Sequence, residues 1–139
     1  MFKFTLENFV CISEDPDLDS EKGLHSVVRF RIARQQYEAL DIGPHEIGSF
    51  KLAPMPGCCG VVVSTESILN PRWRGSIPQI FHRIKEQVAK QFGYSLMIAT
   101  VQSRNYPEVI GASHNGWKFV HTFRNKRTTN DIGVMVKDI

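Results

Sequence analysis

The chain has 139 residues, of which 42% are hydrophobic and 22% are charged, a composition typical of a water-soluble globular protein. This length predicts one domain, residues 1–139, and no apolar run approaches the roughly 20 residues that cross a bilayer, so no membrane partner is expected. The net charge of +3 is too small to indicate nucleic-acid binding, and three cysteines without paired spacing indicate neither a disulfide framework nor a metal site.

The first twenty residues predict a strand followed by a surface loop. Residues 1–5 lack the apolar core and the small-residue cleavage site of a secretory signal, so a cytoplasmic location is expected. Residues 2–6 alternate apolar and polar side chains, as a half-buried strand does. Residues 14–20 are acidic and rich in turn-forming residues, which predicts a loop.

The segment 21–40 allows two interpretations. Its apolar positions fit one face of a helix, and the preceding Asp19 or Ser20 would cap the first turn. However, residues 28–32 alternate apolar and basic side chains, which is typical of a strand. The length of the segment and the cap favour the helix, and a short strand at 47–52 follows it.

The second half predicts strands and helices in alternation, with a hairpin at the end. The expected elements are a strand at 60–69, a helix at 77–92, a strand at 95–101, a helix at 106–115 and strands at 118–123 and 132–136. The strand at 95–101 is apolar throughout, as a central strand covered on both faces would be. This order of elements predicts a mixed α/β (α+β) domain in which helices flank a mixed central sheet.

The turn after the strand at 60–69 is a candidate anion site. Arg72, Arg74, Gly75 and Ser76 lie between the end of that strand and the start of the next helix. The first turn of a helix carries unpaired N–H groups and a partial positive charge. Such a place commonly holds phosphate. The sequence therefore predicts a ligand that carries phosphate.

This turn and the segments after it, residues 60–139, resemble the GNAT superfamily of acyl-coenzyme A-dependent N-acyltransferases. In that family a strand ends in the pattern Gln/Arg-x-x-Gly-x-Gly/Ala, whose backbone N–H groups hold the pyrophosphate of coenzyme A (CoA). One register starts the pattern at Arg72 and places Ile77 where a small residue is expected. The other aligns Arg74 and Gly75 with a frequent Arg-Gly pair and replaces both small residues. We prefer the second because Pro78 then lies just inside the helix, where its missing N–H costs nothing.

A second landmark of the family is an Asn after the fifth strand and a Gly-aromatic pair that closes the next helix. Here Asn105 precedes Gly116-Trp117 by eleven positions (116 minus 105). The terminal hairpin is similar to that of small GNAT-like proteins, including some carried by phages. The resemblance implies acetyl-CoA as acyl donor and an amine as acceptor. The CoA-binding residues it implies are Ile68 or Leu69 through a backbone N–H of a bulged strand, Arg72, Arg74, Gly75, Ser76 and Asn105.

One departure from the family concerns the proton that the departing thiolate needs. Catalytic members often carry a tyrosine four positions before the glycine, and that tyrosine donates the proton. The position here is Ala112. The usual general acid is therefore absent or replaced.

Two residues are candidates for acid–base chemistry. Glu66 on the strand at 60–69 could serve as a base or a relay through water; the alternative is an exposed strand carboxylate. His114 could be an acid or a base because its ordinary pKa lies near neutrality; the alternative is a polar helix end. His82, beside Arg83 and Lys85, is interpreted as part of a solvated helix face.

Three functions compete at this point. The first is a small acyltransferase that moves an acetyl group from acetyl-CoA to an amine. The second is a catalytically inactive protein of the same fold, which predicts a stable partner or a homodimer; Ile77, Pro78 and Ala112 favour it. The third is nucleic-acid binding, and the low net charge and the acidic loop at 14–20 argue against it.

Overall fold

The computed structural model describes residues 2–37, 42–73 and 78–139. Within these residues one eight-stranded sheet and two helices form the fold. In chain order the elements are β1 (Lys3–Leu6), β2 (Phe9–Ser13), β3 (Val28–Arg34), β4 (Gly48–Pro54), β5 (Val61–Leu69), α1 (Pro78–Gln91), β6 (Leu96–Gln102), α2 (Tyr106–His114), β7 (Lys118–Arg124) and β8 (Asp131–Asp138).

The sheet is mixed, as the order of predicted elements indicates. Its strand order is β1-β2-β3-β4-β5-β6-β8-β7. Every neighbouring pair is antiparallel except β5 and β6, which are parallel and are connected through α1. The terminal hairpin is confirmed, and β8 inserts between β6 and β7. No helix among the described residues is long and apolar enough to cross a membrane.

An aromatic cluster forms the centre of the core. Phe30 on β3 and Phe50 on β4 are opposite each other in the strand pairing and stack with ring centroids 5.2 Å apart. Phe81 on α1 meets Phe50 edge-on at 6.1 Å, and Phe92 after α1 meets Phe30 edge-on at 5.9 Å. Such offset and edge-to-face pairs stabilise beyond simple burial of area. The cluster therefore joins α1 to the strands of the first half.

The helix predicted at 21–40 is wrong. Over the described residues the chain forms 3-10 turns at Ser20–Lys22 and Gln35–Tyr37 on either side of β3, so Asp19 caps a short turn and not a long helix. The alternation at 28–32 was the correct signal, because its apolar side chains are buried and Arg31 lies on the other face. There its guanidinium pairs with Glu46 at 2.7 Å. The prediction also missed β2, which pairs with β1 after a tight turn.

The expectation that the strand at 95–101 is covered on both faces is also wrong. In β6, Met97, Ala99 and Val101 are buried, whereas the alternate side chains Leu96 and Ile98 are only half-buried. The reason is that α1 and α2 both contribute to the same core cluster. An unbroken apolar run therefore does not require two covered faces here.

Candidate active site

A cleft opens where β5 and β6 part. The two strands pair only over residues 61–63 of β5 and 96–98 of β6. Beyond that point β5 carries one extra residue relative to β4, and Glu66 at this bulge has a positive φ of 47°. A bulge bends its strand and changes the direction of the residues around it. The side of β5 that faces β6 after Val63 therefore has no strand partner among the described residues, and its peptide groups border the cleft.

The cleft is a cavity of about 660 Å³ between the end of β5, the first turns of α1 and the inner side of α2. Four residues predicted from the sequence line it together: Ile68, Leu69, Asn105 and His114. Asn105 is the N-cap residue of α2, yet its side chain makes no capping hydrogen bond. Asn105 therefore lines the cavity without a side-chain bond to the first turn of its own helix. The end of the bulged strand and Asn105 thus border the same space.

Glu66 is placed differently from these four. Its carboxylate pairs with Nζ of Lys51 on β4 at 2.6 Å, and 61% of its side chain is exposed. It does not line the cavity. A direct contact with a ligand in the cleft would require this ion pair to open, and such exposed pairs are weak enough to do so.

Arg72 borders a second cavity of about 500 Å³, which it shares with Tyr37, His45 and Asn70. Its backbone N–H donates to Oδ1 of Asn70 at 3.1 Å, which shapes the turn after β5. The remaining predicted phosphate contacts, Arg74, Gly75 and Ser76, lie outside the described residues. Their role stays a prediction.

Two buried polar residues of α1 were not recognised in the sequence. The expectation of a solvated face at His82 and Lys85 is wrong, because they are only 8% and 3% exposed. Both flank the apolar stripe of Phe81, Ile84 and Val88. Their burial could have been inferred from their spacing of three residues, which places both on one side of the helix next to that stripe. The charged neighbours in the sequence obscured it.

His82 is held neutral by its surroundings. Burial, followed by the positive charges of Lys85 and Lys137, lowers its pKa to about 4. Its Nδ1 is buried without a hydrogen-bond partner in the described part of the chain. Its Nε2 is 3.9 Å from Oε1 of Glu108, too far for a hydrogen bond. Protonation of this imidazole would place a charge in a poorly solvated position.

Lys85 is the most deeply buried cation of the described residues. Its Nζ donates a hydrogen bond to Oγ of Ser67 at 3.1 Å and lies 5.7 Å from the ring centroids of both Phe81 and Trp117. Burial lowers its pKa to about 8; Glu108 opposes this shift and Lys137 adds to it. Ser67 lines the cleft, so the ammonium lies directly behind the cavity wall.

Acidification should destabilise this protein through His82. Its pKa is below the ordinary 6.5 in the folded state, so between pH 6.5 and about 4 the unfolded state binds more protons. Stability is therefore lost as the pH falls through this window, by up to about 3 kcal/mol. Urea unfolding at pH 7 and pH 4.5 should show a smaller pH dependence for His82→Leu. The exposed His121 supplies the control: His121→Asn should retain the full wild-type loss, and an equal loss in His82→Leu would contradict the prediction.

Comparison with known proteins gives a clear result for structure and none for sequence. No protein-family model matches the chain, and no curated protein sequence matches it. A probable acetyltransferase of the GNAT family from Chromobacterium violaceum matches with a TM-score of 0.69 and 14% identity, over 98% of this chain and 90% of that one. An acetyltransferase of the GNAT family from Streptococcus pneumoniae matches with a TM-score of 0.64 and 13% identity, over 86% and 70%.

A third matched structure belongs to a longer protein. A spermidine N-acetyltransferase chimera from Vibrio cholerae and hSSAT matches with a TM-score of 0.65 and 14% identity over 82% of this chain. The chain spans 66% of the length of that protein. At such identities the likeness shows a shared fold. The resemblance noted in the sequence is thereby confirmed at the level of architecture.

Proposed function

We propose that this chain, which has the GNAT fold, transfers an acetyl (acyl) group from acetyl-CoA to an amine. One observation carries the proposal: β5 stops pairing with β6 after Val63 and bulges just beyond, and Ile68, Leu69, Asn105 and His114 line the adjacent cavity. A parted strand exposes peptide N–H groups, which stabilise charge on a carbonyl oxygen without having to reorganise. The cavity, of about 660 Å³, is large enough for a thioester arm laid between the end of β5 and α2.

Each residue of the cleft would have a separate role in the reaction. The N–H of Ile68 or Leu69 would hold the thioester carbonyl, and the amide of Asn105 would contact the pantetheine arm. Orientation of the amine against that carbonyl would supply much of the rate. His114 at the end of α2 lines the same cavity and is exposed, so it can exchange a proton with solvent. Glu66 would take part through water, since Lys51 holds its carboxylate.

Phosphate contacts belong to the turn between β5 and α1. By resemblance, Arg72, Arg74, Gly75 and Ser76 would hold the pyrophosphate of CoA with backbone N–H groups and guanidinium charges. The acceptor is proposed only as an amine, and a cytoplasmic location is part of the same proposal. Spermidine, which a matched structure names, is one amine to test.

Calorimetric titration with CoA tests the proposal directly. Loss of the Asn105 amide should weaken CoA binding about tenfold, because one hydrogen bond contributes about 1.4 kcal/mol. Asn105→Ala is the variant. Asn130→Ala, on the loop between β7 and β8, is the matched control and should bind as the wild type does. Absence of binding by the wild type at millimolar CoA would remove the proposal. Acetylation of spermidine or another amine by the wild type would complete it.

A non-catalytic protein of the same fold is the second candidate, and one observation favours it. Ala112, at the position of the family's tyrosine, is fully buried in the core and is not part of the cleft wall. That residue therefore offers no proton to a ligand. CoA binding without acetylation of any amine would support this alternative, and robust acetylation would end it.

A further inference from the structure

We propose that Ser67 donates the proton that the departing CoA thiolate requires and that Lys85 replaces that proton from behind the cavity wall. This inference rests on the proposed acyl transfer and assigns to Ser67 the part that Ala112 does not play. Ser67 would be a catalytic residue, because it would touch the sulfur. Lys85 would be a positioning residue that acts through Ser67.

The direction of the hydrogen bond between these residues supports the assignment. Nζ of Lys85 is the donor and Oγ of Ser67 the acceptor, at 3.1 Å. The hydroxyl hydrogen of Ser67 is therefore not used in this bond. Because Ser67 also lines the cleft, that hydrogen can point to a ligand. A serine that accepts from an ammonium and donates to a sulfur links the buried cation to the reacting atom.

The surroundings of Lys85 make it a suitable source of the proton. Phe81 of α1 and Trp117 after α2 enclose its Nζ, and Ser67 is its hydrogen-bond acceptor in the described part of the chain. A buried ammonium with one acceptor is poorly compensated, so release of its proton relieves the cost of burial.

The charged and titratable groups near Lys85 come from three elements. Glu108 of α2 favours its ammonium form, Lys137 of β8 disfavours it, and His82 of α1 is neutral above about pH 4. Glu86 of α1 is engaged by Lys137 at 2.6 Å. With these neighbours the pKa of Lys85 is about 8, close to the ordinary thiol value of about 8.5. The two groups are therefore matched for transfer of a proton in either direction.

The proton balance of the step is complete. The amine nitrogen forms its bond to the thioester carbon, and the bond from that carbon to sulfur breaks. The sulfur keeps the electron pair and takes the hydroxyl proton of Ser67, while Ser67 takes a proton from the ammonium of Lys85. The nitrogen loses its extra proton to solvent, and neutral Lys85 regains one from solvent after CoA leaves.

Calorimetric binding of CoA and of dethio-CoA, which lacks the sulfur, tests this contact without a known acceptor. The wild type should bind CoA about tenfold more tightly, the worth of one charge-assisted hydrogen bond. This preference should be greatest near pH 8, where thiol and lysine can share one proton, and should decline at pH 6 and pH 10. Lys85→Met and Ser67→Ala should lose the preference and its pH dependence while binding dethio-CoA as the wild type does.

Two further variants separate this contact from a structural effect. Lys90→Met removes an exposed lysine from the same helix and should keep the preference for CoA. Ser67→Thr keeps a hydroxyl on a strand that tolerates branched side chains and should also keep it. Lys85→Met should fold at least as stably as the wild type, because it removes a buried charge.

The outcomes are distinct. If the wild type binds neither ligand, the proposed function fails and this inference fails with it. If it binds both equally well, or if Lys85→Met and Ser67→Ala retain the preference, CoA binding stands and the proton relay is overturned. Loss of the preference in these two variants alone supports the relay.

Discussion

Substitution of Gly111 by tryptophan is expected to abolish CoA binding while leaving the protein folded. Gly111 lies on the cleft side of α2, and a Cβ at this position would meet no atom within 4 Å. The backbone there is helical, so any L-residue is compatible with it. A large ring would occupy the space between α2 and the bulged β5. CoA affinity measured by calorimetry should fall at least about a hundredfold, since the lost contacts are worth several kcal/mol.

The matched control is Gly111→Ala, which adds one methyl group to the same position. It should retain CoA binding and raise the free energy of unfolding by up to about 1 kcal/mol, because alanine loses less backbone entropy than glycine in a helix. If Gly111→Trp binds CoA as tightly as Gly111→Ala does, the ligand does not occupy this cleft. Thermal unfolding of both variants distinguishes a blocked cavity from a damaged helix.

Local sequence patterns predicted most of the helices and strands, but they gave the wrong structure for the segment 21–40. Strands with β-branched runs, such as β5, and the helix α1 with its apolar stripe were recognised because each has one clear period. The segment 21–40 carried both periods, and its apparent cap favoured the wrong one. In the folded chain β3 pairs with β2 and β4, and this pairing makes residues 28–34 a strand. A single sequence does not show which strands pair.

The candidate site was predictable where residues follow the ends of elements. Ile68 and Leu69 end β5, and Asn105 precedes α2, so their neighbourhood follows from the parallel arrangement of β5 and β6. Lys85 and Ser67 could not be paired from the sequence, because they are 18 residues apart on different elements. A lysine on a helix is usually exposed, and only the packing of Phe81 and Trp117 around its Nζ shows otherwise.

Truncation of Phe50 to alanine should be strongly destabilising. Phe50 is fully buried, stacks on Phe30 and meets Phe81 edge-on. Its loss removes a large apolar area and leaves a cavity between β3, β4 and α1, at a cost of about 3–5 kcal/mol. That is a large part of the total stability of about 5–15 kcal/mol expected for a domain. The midpoint of thermal unfolding should therefore fall by roughly 10–17 °C relative to the wild type.

The same change should also affect the cleft, because Phe81 both contacts Phe50 and lines the cavity. At a temperature where Phe50→Ala is folded, CoA should bind more weakly than to the wild type. Phe50→Leu, which fills most of the space, should lose less than half as much stability and keep CoA binding. Phe123→Ala is the surface control, since Phe123 on β7 is 43% exposed and its removal should cost about 1 kcal/mol or less. If Phe50→Ala unfolds at the wild-type temperature, the aromatic cluster does not hold α1 against the sheet. Other contacts would then have to position Phe81 in the cleft wall.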